Sequence, residues 1–384
     1  MTLPASMNAL ILKEHGFGNT RTGSVIETLE PYLEYGSLPV PRPGAGQVLI
    51  KVRMASVNPS DLYFIKGEYG QPRIKGAAAG FEGVGDVVDG KGLYAAYLKG
   101  KRVAFVGGVN GSGAWADYIV VEAAMCVVIK PAMRDEDAAG HVVNPVTAWT
   151  MFDIVKASGA KSFVFTAAFS QLGKLMAGLA RDNGYAMIAI IRKESQAAHL
   201  EDLGARHVLV QSDPEFTSKL AALMKSEKPR ILLDAVANQI AADIFTAMPA
   251  RARWIIYGKL DTEAPALKEP GQLIFMNKTI EGYWLMNWFR RASILQKLMT
   301  LRAVQNRFIS GAWSTEVVAT VKLADAIQEL PAALRLGDGK VMIVPQARQH
   351  AAVKHRIPRH ANGIIQFSAS FKAAHEAAAE LIPL

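Results

Sequence analysis

The sequence predicts an α/β protein, with a β-rich first region followed by a doubly wound parallel sheet. Short β-branched runs between glycine turns fill the chain as far as Asn144, and beyond that point strands and helices alternate. The length of 384 residues exceeds one ordinary domain of roughly 100–200 residues. With 50% hydrophobic and 20% charged residues the chain can bury real cores, which excludes a disordered or fibrous protein.

The first region reads as a small barrel-like β domain. Met7–Leu12 is a strand, and the Pro- and Gly-rich stretch from Pro39 to Gly46 interrupts rather than extends it. Gln47–Val52 follows with β-branched alternation, then Gly83–Val88, Lys101–Val106 and Gly113–Val121. The second region alternates strands at Phe163–Thr166, Ala186–Ile191, His207–Val210, Ile231–Asp234 and Trp254–Tyr257 with helices at Leu172–Arg181, Glu194–Leu203, Glu215–Lys225 and Ala237–Met248. After Ile280 a single helix is expected over Trp288–Arg302, then a helix over Asp325–Leu334 and a last strand, Lys340–Val344. The tail from Ala347 to Leu384 holds four of the eight histidines and the basic run Lys354–Arg359, and its Phe371–Leu381 suits one amphipathic helix. These histidines are read as solvated rather than as metal ligands.

The net charge of +9 favours anionic ligands such as nucleotides, CoA or an acidic carrier protein. Basic residues are dispersed rather than striped among aromatics, so nucleic acid is not an expected partner. A single cysteine, Cys126, excludes an intramolecular disulfide and a multi-cysteine zinc cluster. No run approaches the roughly 20 apolar residues of a membrane span, and Met1–Leu12 lacks the basic start and long apolar stretch of a secretory signal. The cytoplasm is therefore the expected compartment.

In a doubly wound sheet the first strand–turn–helix holds the dinucleotide pyrophosphate at a helix N-terminus. Here that turn is Thr166-Ala-Ala-Phe-Ser-Gln-Leu-Gly173, a poor match to GxGxxG. Its physical requirements survive: Ala167 and Ala168 are small, Ser170 offers a hydroxyl, Gly173 lets helix and strand pack closely, and Gln171 and Leu172 complete the candidate cofactor turn. The second strand ends in Arg192 and Lys193 where an NAD site would carry Asp or Glu, which favours a 2′-phosphate and therefore NADPH over NADH.

Ser56-Val-Asn-Pro-Ser-Asp61, Gly80-Phe-Glu-Gly-Val-Gly85, Gly113-Ala-Trp-Ala-Asp-Tyr118, Asn144-Pro-Val-Thr-Ala148 and Tyr257-Gly258, in this order, resemble the medium-chain dehydrogenase/reductase superfamily. The resemblance covers about Met7 to Pro345. It implies a GroES-like catalytic domain from residues 7–143 and 300–346, a Rossmann cofactor domain at 144–299, and an appended tail at 347–384. Zinc-dependent alcohol dehydrogenases of this superfamily bind catalytic zinc through two cysteines and one histidine. The matching positions here carry Asn58, Phe81 and Asn144, the four-cysteine lobe is missing, and Glu82 is left as a lone carboxylate. The chain thus resembles the zinc-free branch, with no metal expected.

Within that branch, Asn58–Gly70 is similar to the segment of 2-enoyl thioester reductases whose catalytic tyrosine falls on Tyr69, and Leu273–Trp288 is similar to the strand and helix start after their nucleotide fold. Phe169 and Gln171 depart from the usual small-residue loop, and quinone oxidoreductases share much of the first segment. Reduction of an activated C=C needs hydride at the β-carbon, stabilisation of the enolate oxygen, and a proton at the α-carbon. Tyr69 is the expected acid, with Asn58 orienting the nicotinamide amide or the substrate carbonyl. Tyr63 and Phe81 are expected in the substrate pocket, Thr147, Tyr257 and Gly258 near the cofactor, and Trp284 and Trp288 in the core.

The resulting expectation is a zinc-independent, NADPH-dependent reductase of an enone or 2-enoyl thioester, working in an interdomain cleft. An NADPH:quinone oxidoreductase and an NADPH-binding protein with little catalysis are the alternatives. The partner is a small molecule rather than nucleic acid or membrane, and the resemblance leaves room for a homodimer.

Overall fold

The computed structural model describes residues 3–107 and 112–345, all within one unit, Met1–Ala347. The tail and its expected helix lie outside the described residues.

The chain opens with β1 (Ser6–Leu12) and β2 (Leu33–Pro39), an antiparallel ribbon. Then come β3 (Gln47–Val57), α1 (Pro59–Ile65), β4 (Glu82–Gly90), α2 (Leu93–Leu98), β5 (Arg102–Val106), β6 (Tyr118–Glu122), β7 (Cys126–Val128), α3 (Asp135–Ala139) and α4 (Val143–Ala157). The nucleotide fold runs through β8 (Ser162–Phe165), α5 (Gln171–Asp182), β9 (Ala186–Ile191), α6 (Ala197–Leu203), β10 (His207–Val210), α7 (Phe216–Ser226), β11 (Ile231–Asp234), α8 (Gln239–Ala247), β12 (Arg253–Ile256), α9 (Gly271–Phe275) and β13 (Thr279–Gly282). The return comprises α10 (Leu285–Arg291), α11 (Ile294–Ile309), β14 (Val317–Lys322), α12 (Ala326–Arg335) and β15 (Lys340–Val344).

Strands β8 to β13 form a parallel sheet in the order β10-β9-β8-β11-β12-β13. The order reverses between β8 and β11, and such a switch point leaves a crevice beyond the carboxyl ends of the strands. Both faces of the sheet are covered, so its inner strands are apolar throughout rather than alternating: β8, β9 and β11 are buried at every residue. One face packs with α4, α5 and α11 through Val155, Leu175 and Val304. The other packs with α7 and α8 through Leu220, Ile244 and Phe245.

The second sheet has the order β14-β15-β3-β4-β5-β7, with β6 also pairing β3. Its core, around Leu10, Ile50, Phe105, Trp115 and Ile343, is separate from that of the nucleotide fold. The last strands therefore return to the first lobe: β15 lies antiparallel to the end of β3, with Val341 opposite Val57.

The helix expected over Trp288–Arg302 is two helices. Ser293 breaks it as an N-cap: its hydroxyl accepts from Gln296 N–H at 3.2 Å, and Gln296 Oε1 accepts from Ser293 N–H at 2.9 Å. The second of them, α11, runs unbroken across residue 300 and places Val304 and Phe308 against the nucleotide fold. No described helix is long and apolar enough to cross a membrane.

Candidate active site

The turn from β8 to α5 makes one wall of a cavity of about 710 Å³ between the two sheets. Ser170 caps α5, its hydroxyl accepting from Gly173 N–H at 3.2 Å. A Cβ on Gly173 would lie 2.2 Å from Ala168 O, so only glycine permits this approach of helix to strand. Ala167 turns the chain at φ +48°, a left-handed conformation costly for a residue with a Cβ. Phe169, Ser170, Gln171 and Leu172 face the cavity, while Ala168 and Gly173 form the packed layer beneath.

A buried carboxylate fixes the neighbouring strand ends. Asp234, fully buried at the end of β11, accepts from the Thr166 hydroxyl and Val236 N–H (2.9 Å) on one oxygen. Its other oxygen accepts from Ala237 N–H at 3.1 Å and Trp254 Nε1–H at 2.8 Å. Thr166 Oγ1 accepts in turn from Ala235 N–H at 3.0 Å. The ends of β8, β11 and β12 are thus locked where Ala235, Tyr257 and Gly258 line the cavity. The approach is close here too, since a Cβ on Gly258 would lie 2.8 Å from Ala235 O.

Opposite stand Tyr63 and Tyr69. Tyr63 donates its hydroxyl to the Lys259 carbonyl, tying α1 to the loop after β12. Tyr69 accepts from Trp284 Nε1–H at 3.0 Å, so its own proton stays available for another acceptor. Burial raises the pKa of Tyr69, which keeps the phenol protonated at neutral pH. Tyr69 also packs on Phe81 with ring centroids 5.3 Å apart.

The cavity floor is polar and buried. Asn58 Nδ2 donates to Glu82 at 2.8 Å and to Ser56 Oγ at 3.1 Å, and its Oδ1 accepts from the Lys340 ammonium. Glu82 accepts further from Ser56 Oγ at 2.7 Å and from Val143 N–H at 2.8 Å, at the start of α4. Asp61 accepts from Asn58 N–H and Phe81 N–H, each at 2.8 Å. Desolvation raises the Asp61 pKa to about 7 against the opposing effect of these backbone hydrogen bonds, with Glu82 raising it further and Lys340 lowering it. Burial lowers that of Lys340 against the attraction of Glu82 and Asp61.

Of the residues expected from sequence, Asn58, Tyr63, Tyr69, Thr147, Ser170, Gln171, Leu172, Tyr257 and Gly258 line this one cavity. Phe81 does not: it backs Tyr69 in a separate annex of about 60 Å³, beside Val106, Met286 and Phe289. Gln171 is committed across the fold, donating to Ser314 O at 2.8 Å and accepting from Glu316 N–H at 3.3 Å. Arg192 and Lys193 are exposed after β9, outside the cavity wall, with no ion pair among the described residues. Trp284, expected in the core, instead lines the cavity and holds Tyr69; nothing in local spacing links residues 215 positions apart. Trp288, also expected in the core, is half-buried and packs against it from outside. Lys340 and Asp234 carry no local sequence signal for a role in the site: both sit at strand ends, where a charged residue ordinarily reads as solvent-facing.

A doubly wound fold with a cavity at its switch point, closed by a β-rich lobe, defines a dinucleotide-dependent oxidoreductase architecture. Residues 44–131 match the alcohol dehydrogenase GroES-like domain and residues 172–301 match the zinc-binding dehydrogenase domain. A Mesorhizobium loti crystal structure, provisionally assigned as an NADPH:quinone reductase, is 53% identical, covers 90% of this chain and 100% of its own, and superposes with a TM-score of 0.87. The mitochondrial enoyl-[acyl-carrier-protein] reductase of Dictyostelium discoideum is 28% identical over 67% of this chain and 74% of its own length. An Etr1p complex with NADP and crotonyl-CoA shares the fold at 19% identity, with a TM-score of 0.72 over 88% of this chain and 99% of its own.

The chain belongs to the zinc-free branch of the medium-chain dehydrogenase/reductase superfamily. It is an NAD(P)H-dependent oxidoreductase of the quinone and enoyl reductase type. The zinc in the matched domain's description does not fit these residues. Asn58 and Phe81 are not zinc donors, both Glu82 oxygens are engaged, and an ammonium rests on Asn58. Among the described residues no group of three or more His, Cys, Asp or Glu could hold a metal.

Proposed function

We propose that the protein reduces the C=C bond of an enone or a 2-enoyl thioester with NADPH, without metal, and that Tyr69 is the proton donor. The observation that carries this reading is the Trp284–Tyr69 hydrogen bond: the indole N–H occupies an acceptor lone pair of the phenol and turns its O–H toward another acceptor. NADPH held in the cavity would supply a hydride, added with its electron pair to the β-carbon. The π electrons pass to the α-carbon and carbonyl oxygen, and Tyr69 gives its proton to the α-carbon and regains one from solvent. Thr147, Ser170 with the α5 N-terminus, Tyr257 and Gly258 are assigned to the cofactor, and the exposed Arg192 and Lys193 to a 2′-phosphate, favouring NADPH over NADH. Asn58 is assigned to orientation, through its place on the floor. For the lobes, we take residues 7–143 with the returning strands as catalytic, and the nucleotide lobe from 144 through α11, since α11 packs on it.

A second reading, an NADPH:quinone oxidoreductase, is favoured by the assignment of the 53% identical Mesorhizobium protein. Quinone oxygens take protons from solvent and need no positioned acid. NADPH oxidation followed by absorbance, with a 2-enoyl-CoA and a benzoquinone side by side, separates the two. Enoyl-CoA turnover is expected to fall at least about a hundredfold in Tyr69→Phe. Turnover of the quinone alone, unchanged in that variant, would make the quinone reading correct and leave Tyr69 a wall residue.

A further inference from the structure

Three ionisable side chains are buried together at the cavity floor, Lys340 lining it and the two carboxylates beneath: Asp61 is 0% exposed, Glu82 1% and Lys340 5%. Each ion taken from water costs several kcal/mol, and apolar residues of similar volume often serve stability as well or better. What the cluster does is visible in what it holds. Asp61 fixes the backbone of Asn58 and of Phe81, against which Tyr69 packs. Glu82 fixes the side chains of Ser56 and Asn58 and the first N–H of α4, the helix that carries Thr147. Lys340 and Glu82 form no direct ion pair; the Asn58 carboxamide stands between them, accepting from the ammonium and donating to the carboxylate.

We propose that Lys340 is a positioning residue for the active site: its ammonium is the internal counter-charge that holds Asn58 and Glu82 on the cavity floor. Lys340 acts electrostatically on both carboxylates. Its position is set by β15, whose pairing with β3 brings it beside Val57 and Asn58. Without the cation, Glu82 is a buried anion held by hydrogen bonds alone, Asn58 loses the partner of its oxygen, and the segment leading to Tyr69 is released. The role is charge balance, not contact with the reacting atoms.

Lys340→Met keeps the length and removes the charge. Lys340→Met/Glu82→Gln removes both charges; with the ammonium gone Asn58 is free to turn its amide, and the new carboxamide then accepts from Val143 N–H through its oxygen and donates through its NH2 to Ser56 Oγ and Asn58 Oδ1. The measurements are melting temperature, NADPH affinity by fluorescence titration, and kcat/KM for the acceptor that the wild type turns over. In the single variant kcat/KM is expected to fall at least about tenfold and the melting temperature to drop, with NADPH affinity within about threefold of wild type. The double variant is expected to recover most of both losses. A single variant with wild-type kcat/KM and melting temperature overturns the proposal, and so does a double variant no better than the single. If the single variant does not fold, a folded double variant supports the proposal, and failure of both to fold overturns it. The turnover comparison rests on the proposed reductase activity and the melting comparison does not. A wild type that reduces neither acceptor sinks the functional reading and leaves melting to decide the role of Lys340.

Discussion

Asp234 and Glu82 pose the same problem in two lobes and solve it differently. Both are buried carboxylates on strands flanking one cavity. Asp234 is satisfied by neutral donors: a hydroxyl, two backbone amides and an indole. The carboxylate pair Asp61 and Glu82 has neutral donors as well, but also an ammonium that acts on both. Two of these donors come from Asp234's own turn and two from the neighbouring strands' side, Thr166 after β8 and Trp254 on β12, so the nucleotide lobe satisfies its carboxylate from within its own sheet. The β-rich lobe has an ammonium from a strand far away in sequence.

The sharpest way to break this comparison is Asp234→Ala. Four donors then point at an empty space, each costing about 1–3 kcal/mol, so we expect a loss of about 4 kcal/mol or more by denaturant titration. An Asp234→Ala protein within about 1 kcal/mol of wild type would mean that water fills the site and that the two carboxylates are not equivalent problems.

His141 supplies the third case, a buried polar side chain for which neither ring nitrogen has a partner among the described residues. Burial lowers its pKa to about 4, opposed by the nearby Asp137. The folded pKa lies below the unfolded value, so stability is intact above pH 6.5 and is lost as pH falls from there through 4. The loss is on the order of 3 kcal/mol. His141→Leu should equal or exceed wild-type stability at neutral pH and lack this acid-side decline; an unchanged pH profile would show that the imidazole is not what titrates.

The smallest effect belongs to the turn beside Asp234. Ala167 and Ala237 both adopt left-handed backbone, at φ +48° and +58°. Ala167→Gly removes the Cβ penalty at some cost in chain entropy, for a net gain of about 1 kcal/mol in stability. No gain in melting temperature would place the turn's strain elsewhere.

Much of the fold was legible because buried parallel strands leave unbroken apolar runs: Ala186–Ile191, His207–Val210 and Ile231–Asp234 coincide with β9, β10 and β11. Helix α1 and strand β2 were not, since Pro59 and the composition of Leu-Glu-Tyr-Gly-Ser-Leu-Pro obscure any period. Within the site, residues close together in sequence were the readable ones. The 166–173 turn and the 58–69 segment each announce themselves locally, whereas Trp284 meets Tyr69, and Lys340 meets Asn58, only through tertiary folding. The break at Ser293 was open to a reader looking for a capping box, because Ser293 and Gln296 stand at the required spacing.

Lys340 also sets a timetable for assembly. It lies 282 residues downstream of Asn58. At about 5–20 residues per second, roughly 15–55 s of synthesis separate the two. Throughout that interval the emerging β lobe holds Asp61 and Glu82 without the Lys340 ammonium, while every donor to Asp234 has already been made. The first lobe to leave the ribosome is therefore the last to be completed, and a nascent chain halted before β15 would hold all four donors to Asp234 but lack the ammonium that rests on Asn58.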